Sequence, residues 1–159
     1  MDTLDIALRL GAATLVGVIL GLNRDLHGKA TGVRTLGLVC LGSALAVLSI
    51  QDGSSTDVSR IIQGIMTGVG FLGAGVIVRN SKGHHVHGLT TAACVWVTAC
   101  IGAACAVAEW QIVVLGAFLV LVILVFGGPF EKAIDRRWLG RGTTDSETRS
   151  TTRAPSSEM

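Results

Sequence analysis

Two stretches of the chain carry the polar groups able to do specific chemistry. The first runs Gly-Leu-Asn-Arg-Asp-Leu-His-Gly-Lys-Ala-Thr-Gly-Val-Arg-Thr from Gly21 to Thr35 and sets Arg24, Asp25, Lys29 and Arg34 close together. Arginine beside an acid, with glycines between, suits a folded, hydrogen-bonded turn; lysines would serve equally well if the charges only anchored a loop at a membrane surface. The anchor remains the simpler alternative. The second stretch is Gly64 to Arg79, glycine-rich, followed after a polar loop by Gly88-Leu-Thr-Thr-Ala-Ala-Cys-Val-Trp96. Thr90 and Thr91 stand where hydroxyls can cap the free amides of a helix start. Brought together, Arg24, Asp25, Arg34, Thr35, Arg79, Thr90 and Thr91 would form a polar cluster at one end of a helical bundle.

Other chemistries find little support. No serine, histidine and acid occur at a recognisable nucleophile spacing, and no G-x-x-x-x-G-K-[ST] loop is present to grip a nucleotide. Gly68, Gly70 and Gly73 do spell G-x-G-x-x-G, but inside an apolar helix-like run rather than between a strand and a helix, so a dinucleotide site is rejected. His84, His85 and His87 could offer imidazoles to a transition metal. With no cysteine or acid beside them, a pH-sensitive surface loop is as good a reading. No catalytic residue, cofactor or metal ligand is assigned. Cys40, Cys94, Cys100 and Cys105 lie in apolar runs without C-x-x-C spacing and read as buried thiols.

The elements that must position the polar stretches follow from composition. Half of the 159 residues are apolar, 15% are charged and 21 are glycine, with mean hydropathy +0.61; soluble domains carry roughly 25% charged residues. The chain reads as a membrane protein, and a net charge of +2 with 4% aromatics argues against a nucleic-acid surface. Five apolar segments stand out: Leu4 to Leu22, Thr35 to Ile50, Ile61 to Val78, Leu89 to Val107 and Gln111 to Phe126. Runs of 16 to 19 residues are too long for barrel strands, and a bilayer demands internally satisfied backbone, so helices follow. The expected fold class is all-α, a multi-pass transmembrane bundle of about five spans. A break near Glu109 is required, because one helix from Leu89 to Phe126 would measure about 57 Å against a hydrocarbon layer of about 30 Å.

Charge distribution sets the expected orientation. Of 13 lysines and arginines, eleven fall in the first turn, the third-to-fourth connection and the tail, whereas Arg60 stands alone on the other side with Asp52, Asp57 and Glu109. The positive-inside rule then puts the amino terminus outside and the carboxyl terminus in the cytoplasm. Asp2 and Asp5 replace the positive start of a signal peptide, so the first segment is expected to stay. Within it, Asp5 and Arg9 are spaced to pair with each other. Residues 1–128 are read as the membrane domain, 129–139 as an amphipathic helix along the inner surface beyond a stop at Gly127, Gly128 and Pro129, and 140–159 as a disordered cytoplasmic tail.

Small residues recur at four-residue spacing, Gly17 and Gly21, then Gly64 and Gly68, followed by Gly70, Gly73 and Gly75. Lipid gives helices little hydrophobic drive to associate, so such faces are where backbones approach. The third segment is therefore expected at the centre, packed on several sides, with contacts inside one chain preferred over a homo-oligomer.

Three blocks in order, Gly-Leu-Asn-Arg-Asp with Gly-Val-Arg-Thr, then Gly-Val-Gly-Phe-Leu-Gly-Ala-Gly, then Gly-Leu-Thr-Thr-Ala-Ala, make the chain resemble the amino-terminal membrane domain of the MgtC/SapB family from about Leu8 to Phe126. The resemblance implies a multi-pass protein of the bacterial inner membrane, in a family linked to magnesium limitation and virulence, whose members act as regulators on membrane partners such as the ATP synthase. By motif position it carries the family's polar residues onto Arg24, Asp25, Arg34, Thr35, Arg79, Thr90 and Thr91. Asn23 stands where many members have glutamate, and only a short tail follows the fifth segment where virulence-linked members carry a soluble domain. The expectation is a non-enzymatic regulator of ion homeostasis, the alternative a small oligomeric ion or solute transporter.

Overall fold

In the first helix, Ala13, Gly17, Leu20, Gly21 and Arg24 are the buried positions. Their steps of three and four residues trace one stripe along a helix of 3.6 residues per turn. The same logic runs through the structure, a computed structural model describing residues 2–50, 54–79 and 86–138. Its elements are α1 (Thr3–Leu26), α2 (Val33–Leu48), α3 (Ser55–Val76), β1 (Val78–Arg79), β2 (Val86–His87), α4 (Leu89–Ala106) and α5 (Trp110–Trp138). The two short strands pair antiparallel, Val78 opposite His87 and Arg79 opposite Val86. His84, His85 and residues 139–159, including the expected tail, lie outside the described residues.

Apart from this two-residue strand pair, the chain is a helical membrane bundle. Thr3–Leu26, Leu89–Ala106 and Trp110–Gly128 are long and apolar enough to cross a bilayer, and α2 is apolar but shorter. Its 16 residues span about 24 Å. α3 has the length, 22 residues, yet carries Asp57, Arg60 and Gln63 in its first half. It begins with a capping box in which Ser54 Oγ accepts from the Asp57 amide and Asp57 Oδ2 accepts from the Ser54 amide.

Two compact units divide the chain, Met1–Leu121 and Val122–Met159. In the first, α4 and not α3 is central. Thr91, Cys94, Val95, Thr98, Ala99, Ile101, Gly102, Ala103, Cys105 and Ala106 are buried around most of its circumference. On α3 only Val69 and Gly73 are buried. The expected central position of the third segment is thus corrected. An alanine-rich helix with a glycine can be approached from several directions, whereas α3 presents Phe71 at 81% exposure and Leu72 at 52%.

The glycines divide in the same way. A Cβ on Gly17 would lie 2.7 Å from Leu36 O and 2.9 Å from Cys40 Cβ, and one on Gly102 would collide with Cys40 O. α2 is therefore gripped at Cys40 between a glycine of α1 and a glycine of α4. Gly21 closes on Val33 and Gly73 touches Ala92, but Gly64, Gly68, Gly70 and Gly75 meet nothing within 4 Å. Those four expected packing positions are open in this chain.

α4 and α5 are separated at Val107 to Glu109, where Ala108 adopts φ +60° and bonds Cys105 O through its amide. Ala117, Phe118 and Leu121 of α5 then share a shallow groove with Val16, Ile19 and Leu20 of α1, so the chain has turned back. The expected stop at Gly127, Gly128 and Pro129 is not formed: α5 continues through them to Trp138. Proline removes one ladder bond and glycine weakens a helix, but neither obliges it to end when the flanking turns remain bonded.

Candidate functional site

The end of α1 is built to reverse the chain tightly. His27 and Lys29 donate their amides to Arg24 O at 3.2 and 3.1 Å, Gly28 donates to Asp25 O at 3.0 Å, and Gly28 takes φ +62°. This is the left-handed ending that glycine permits without Cβ strain. The returning chain enters α2 at Gly32, and Asp25 Oδ2 accepts from the Val33 amide at 3.0 Å. A Cβ at Gly32 would overlap the Asp25 carboxylate, so this glycine is what lets the acid reach the start of α2. A carboxylate there also complements the positive end of the helix dipole.

Arg24 does not join Asp25. It points into the bundle, 3% exposed, and its Nη2 donates to Thr91 Oγ1 in the first turn of α4. Arg24 Nε is buried without a partner, as is Thr31 Oγ1. Among the described residues the one ion pair is at the far end of α1, Arg9 with Asp5. A buried guanidinium costs several kcal/mol of desolvation unless an acid pairs with it, while a hydrogen bond to a charged group contributes about 1.5–3 kcal/mol. Among the described residues no acid pairs with this charge.

The start of α4 is equally bare. Its N-cap is Gly88, at φ +96°, with no side-chain cap, and a Cβ there would run into Val76 O. The expectation that Thr90 and Thr91 cap the free amides is corrected: Thr91 is buried and turned to Arg24, and Thr90 is exposed. The first helical amides, those of Leu89, Thr90 and Thr91, have no preceding turn to bond.

The remaining predicted residues fall into two groups. Asp25, Arg34, Thr35 and Thr90 are exposed, and Arg79 lies in β1. The structure thus joins Arg24 to Thr91 and Asp25 to the start of α2, and leaves Arg34, Thr35 and Thr90 facing outward. No group of three His, Cys, Asp or Glu that could hold a metal ion occurs among the described residues. Cys40, Cys94 and Cys105 are buried and Cys100 half-buried, all as free thiols.

The opposite end of α1 carries the pair expected from spacing: Arg9 Nη2 lies 3.0 Å from Asp5 Oδ2. Sequence reasoning missed its third member, since Arg9 Nη1 also donates to Ala106 O at 2.6 Å, in the last turn of α4. It also passed over Gly102 as a packing position; the signal was its place in a run of small residues, Gly102 to Ala104.

Comparison with known proteins agrees with this architecture. The family model described as MgtC family matches residues 10–133. The chain is 43% identical over 136 residues to Protein SrpB of Synechococcus elongatus, covering 77% of this chain and 75% of that protein. It is 39% identical over 114 residues to Protein MgtC of Salmonella typhimurium, covering 72% of this chain and 48% of that protein. It is also 38% identical over 132 residues to YhiD of Escherichia coli, covering 77% of this chain and 60% of that protein. The chain therefore spans about half to three quarters of these relatives' lengths. No solved structure matches. A match over most of the chain, taking in both polar stretches and every glycine of the α1–α2–α4 grip, means that this chain belongs to the MgtC family.

Proposed function

We propose that the chain is a non-enzymatic regulator of ion homeostasis in the bacterial inner membrane, acting by binding another membrane protein at the corner that exposes Asp25, Arg34, Thr35 and Thr90. Magnesium is the ion to examine first, since YhiD is described as a candidate magnesium transporter. The family resemblance makes the ATP synthase the first partner to try. With the amino terminus outside, this corner faces the cytoplasm.

One observation carries the reading. The interior between the two ends is dry: Leu20, Leu36, Cys40, Ala44, Val47, Val95, Ala99 and Cys105 are at most 2% exposed. The arginines of α1 lie at its ends and bond to α4 rather than lining a passage. Ionisable groups inside a membrane are functional candidates by default, and among the described residues none of the acids or bases is placed along a path through this core.

Crosslinking in the membrane followed by purification of the full chain tests the proposal. A specific partner should be captured and lost on Arg34→Glu, which reverses an exposed charge without touching the core. Capture of no partner, or capture indifferent to Arg34 and Asp25, would refute it.

A second reading, an oligomeric transporter, draws support from the open glycine face of α3 and the groove of about 370 Å³ between α2 and α3, lined by Leu38, Gly42, Ile65, Gly68 and Leu72 among others. Selective magnesium or proton flux from purified protein in vesicles would establish that reading in place of the first.

A further inference from the structure

Along α3 the exposed residues Asp57, Arg60, Gly64, Gly68, Phe71 and Gly75 follow one another by three or four and so form a single stripe. Beside the stripe runs the groove between α2 and α3, about 370 Å³, lined by Gly42 and Gly68 among others; a Cβ on either glycine would meet nothing within 4 Å. Ser43 lines the same groove. It is 5% exposed, and its hydroxyl forms no hydrogen bond among the described residues. Acyl chains offer such a hydroxyl no partner, so the groove lacks a polar group at this depth.

We propose that the groove receives Phe71 of a second copy of this chain, in a two-fold dimer whose axis stands along the membrane normal, with Thr67 of the partner subunit accepting the Ser43 hydroxyl. The sides of α3 are arranged for it. At 100° per residue, Ile65 and Leu72 lie about 40–60° to one side of Gly68, and Phe71 and Thr67 about 60–100° to the other. The first side is the wall of the groove, and the second is exposed, Phe71 to 81%. Two copies inserted in the same direction share a two-fold axis parallel to α3, and that axis turns the Phe71 side of each toward the α2 side of the other.

Size and chemistry agree. A cavity of about 150 Å³ accommodates benzene, so this groove holds a phenyl ring beside the incoming helix. Thr67 is next to Gly68, about 1.5 Å along the axis, and therefore stands at the level of the groove. Its Oγ1 spends its one proton on Gln63 O at 2.9 Å, which leaves lone pairs to accept, while Ser43 retains an uncommitted proton to donate. Charge agrees as well. The stripe begins with one acid and one base, Asp57 and Arg60, and Arg60 forms no ion pair among the described residues. Across a two-fold, the acid of each copy is set against the base of the other, so the stripe complements itself.

This interface is separate from capture of another protein at the exposed corner. Arg34 is at the start of α2 and Ser43 near its far end, and either property can fail without the other.

The test uses the full chain, its copy number read by native mass spectrometry in lipid and its pairing in the membrane by crosslinking two differently tagged copies. The wild type should be a dimer. Phe71→Cys in one copy and Leu38→Cys in the other should form a disulfide-linked pair, whereas Phe71→Cys with Leu15→Cys, exposed on α1, should not. Phe71→Ala should weaken dimerisation about tenfold or more, and Leu15→Ala should leave it within about twofold. Ser43→Ala and Thr67→Val should each weaken it about threefold, and the double variant no more than either alone, because both remove the same hydrogen bond. Gly68→Leu, which fills the groove from an open position, carries the test if Phe71→Ala does not fold, and it should leave a folded monomer. A wild-type monomer, with or without a retained lipid, a ring of three or more copies, equal crosslinking at Leu15, or additive losses at Ser43 and Thr67 would overturn the proposal.

Discussion

Arg9 and Arg24 hold α4 by its two ends: fifteen residues apart on α1, they donate to Ala106 O and Thr91 Oγ1, which are fifteen residues apart on α4. The helices run antiparallel, and equal spacing means that one axial offset satisfies both contacts, about 22 Å apart along the axis. In lipid, where apolar side chains slide past one another with little preference, polar contacts at matched heights set the register.

The two contacts are far enough apart to act independently. Thr91→Val should cost about 1–3 kcal/mol, because it leaves a buried guanidinium without its acceptor. Arg9→Gln should destabilise as well, and the double variant should equal the sum within about 0.5 kcal/mol. Equilibrium unfolding in mixed micelles measures all three; strong non-additivity would show that the ends do not act separately.

The glycines should separate cleanly on substitution. Gly102→Ala and Gly17→Ala force α2 away at Cys40 and should each lose several kcal/mol or fail to give folded protein, as overpacking does in tight interfaces. Gly68→Ala, with nothing within 4 Å, should be neutral or gain up to about 1 kcal/mol from helix propensity. Thermal midpoints of the three variants decide it, and an inversion of this order would contradict the placement of α4 at the centre.

Ala108 occupies a left-handed conformation, φ +60°, which costs an L-residue roughly 1–2 kcal/mol, partly offset in a glycine variant by greater unfolded-state freedom. Ala108→Gly should therefore raise stability by about 0.5–1 kcal/mol. A lower midpoint would mean that the α4–α5 turn has another geometry.

The connections on either side of α2 should label from opposite faces of the membrane. On the amino-terminus-outside orientation, His27→Cys should react with an impermeant maleimide in inverted vesicles, and Ser54→Cys in intact spheroplasts, each measured above the four buried or half-buried native thiols. Labelling of both from one face would break the bundle topology; the reverse pattern would keep it and invert the orientation.

Much of this molecule is readable along the chain. Apolar length calls for helices because a bilayer leaves no other way to bond the backbone. The spacing of Asp5 and Arg9 gives their pair, since both partners lie on one helix, and the impossible length of a single rod places the break before Trp110. These are local consequences, decided within a few turns. Tertiary structure decided the rest. Glycine at four-residue spacing says that a backbone can be approached, not that it is, so α3 and α4 could not be ranked until Gly102 was seen against Cys40 and Gly68 against nothing. The sequence sets Arg24 beside Asp25 in one polar turn. Whether its guanidinium turns to that neighbour or inward depends on Thr91, 67 residues away, and on which acid α2 needs for its own first turn, and both are settled only when three helices meet.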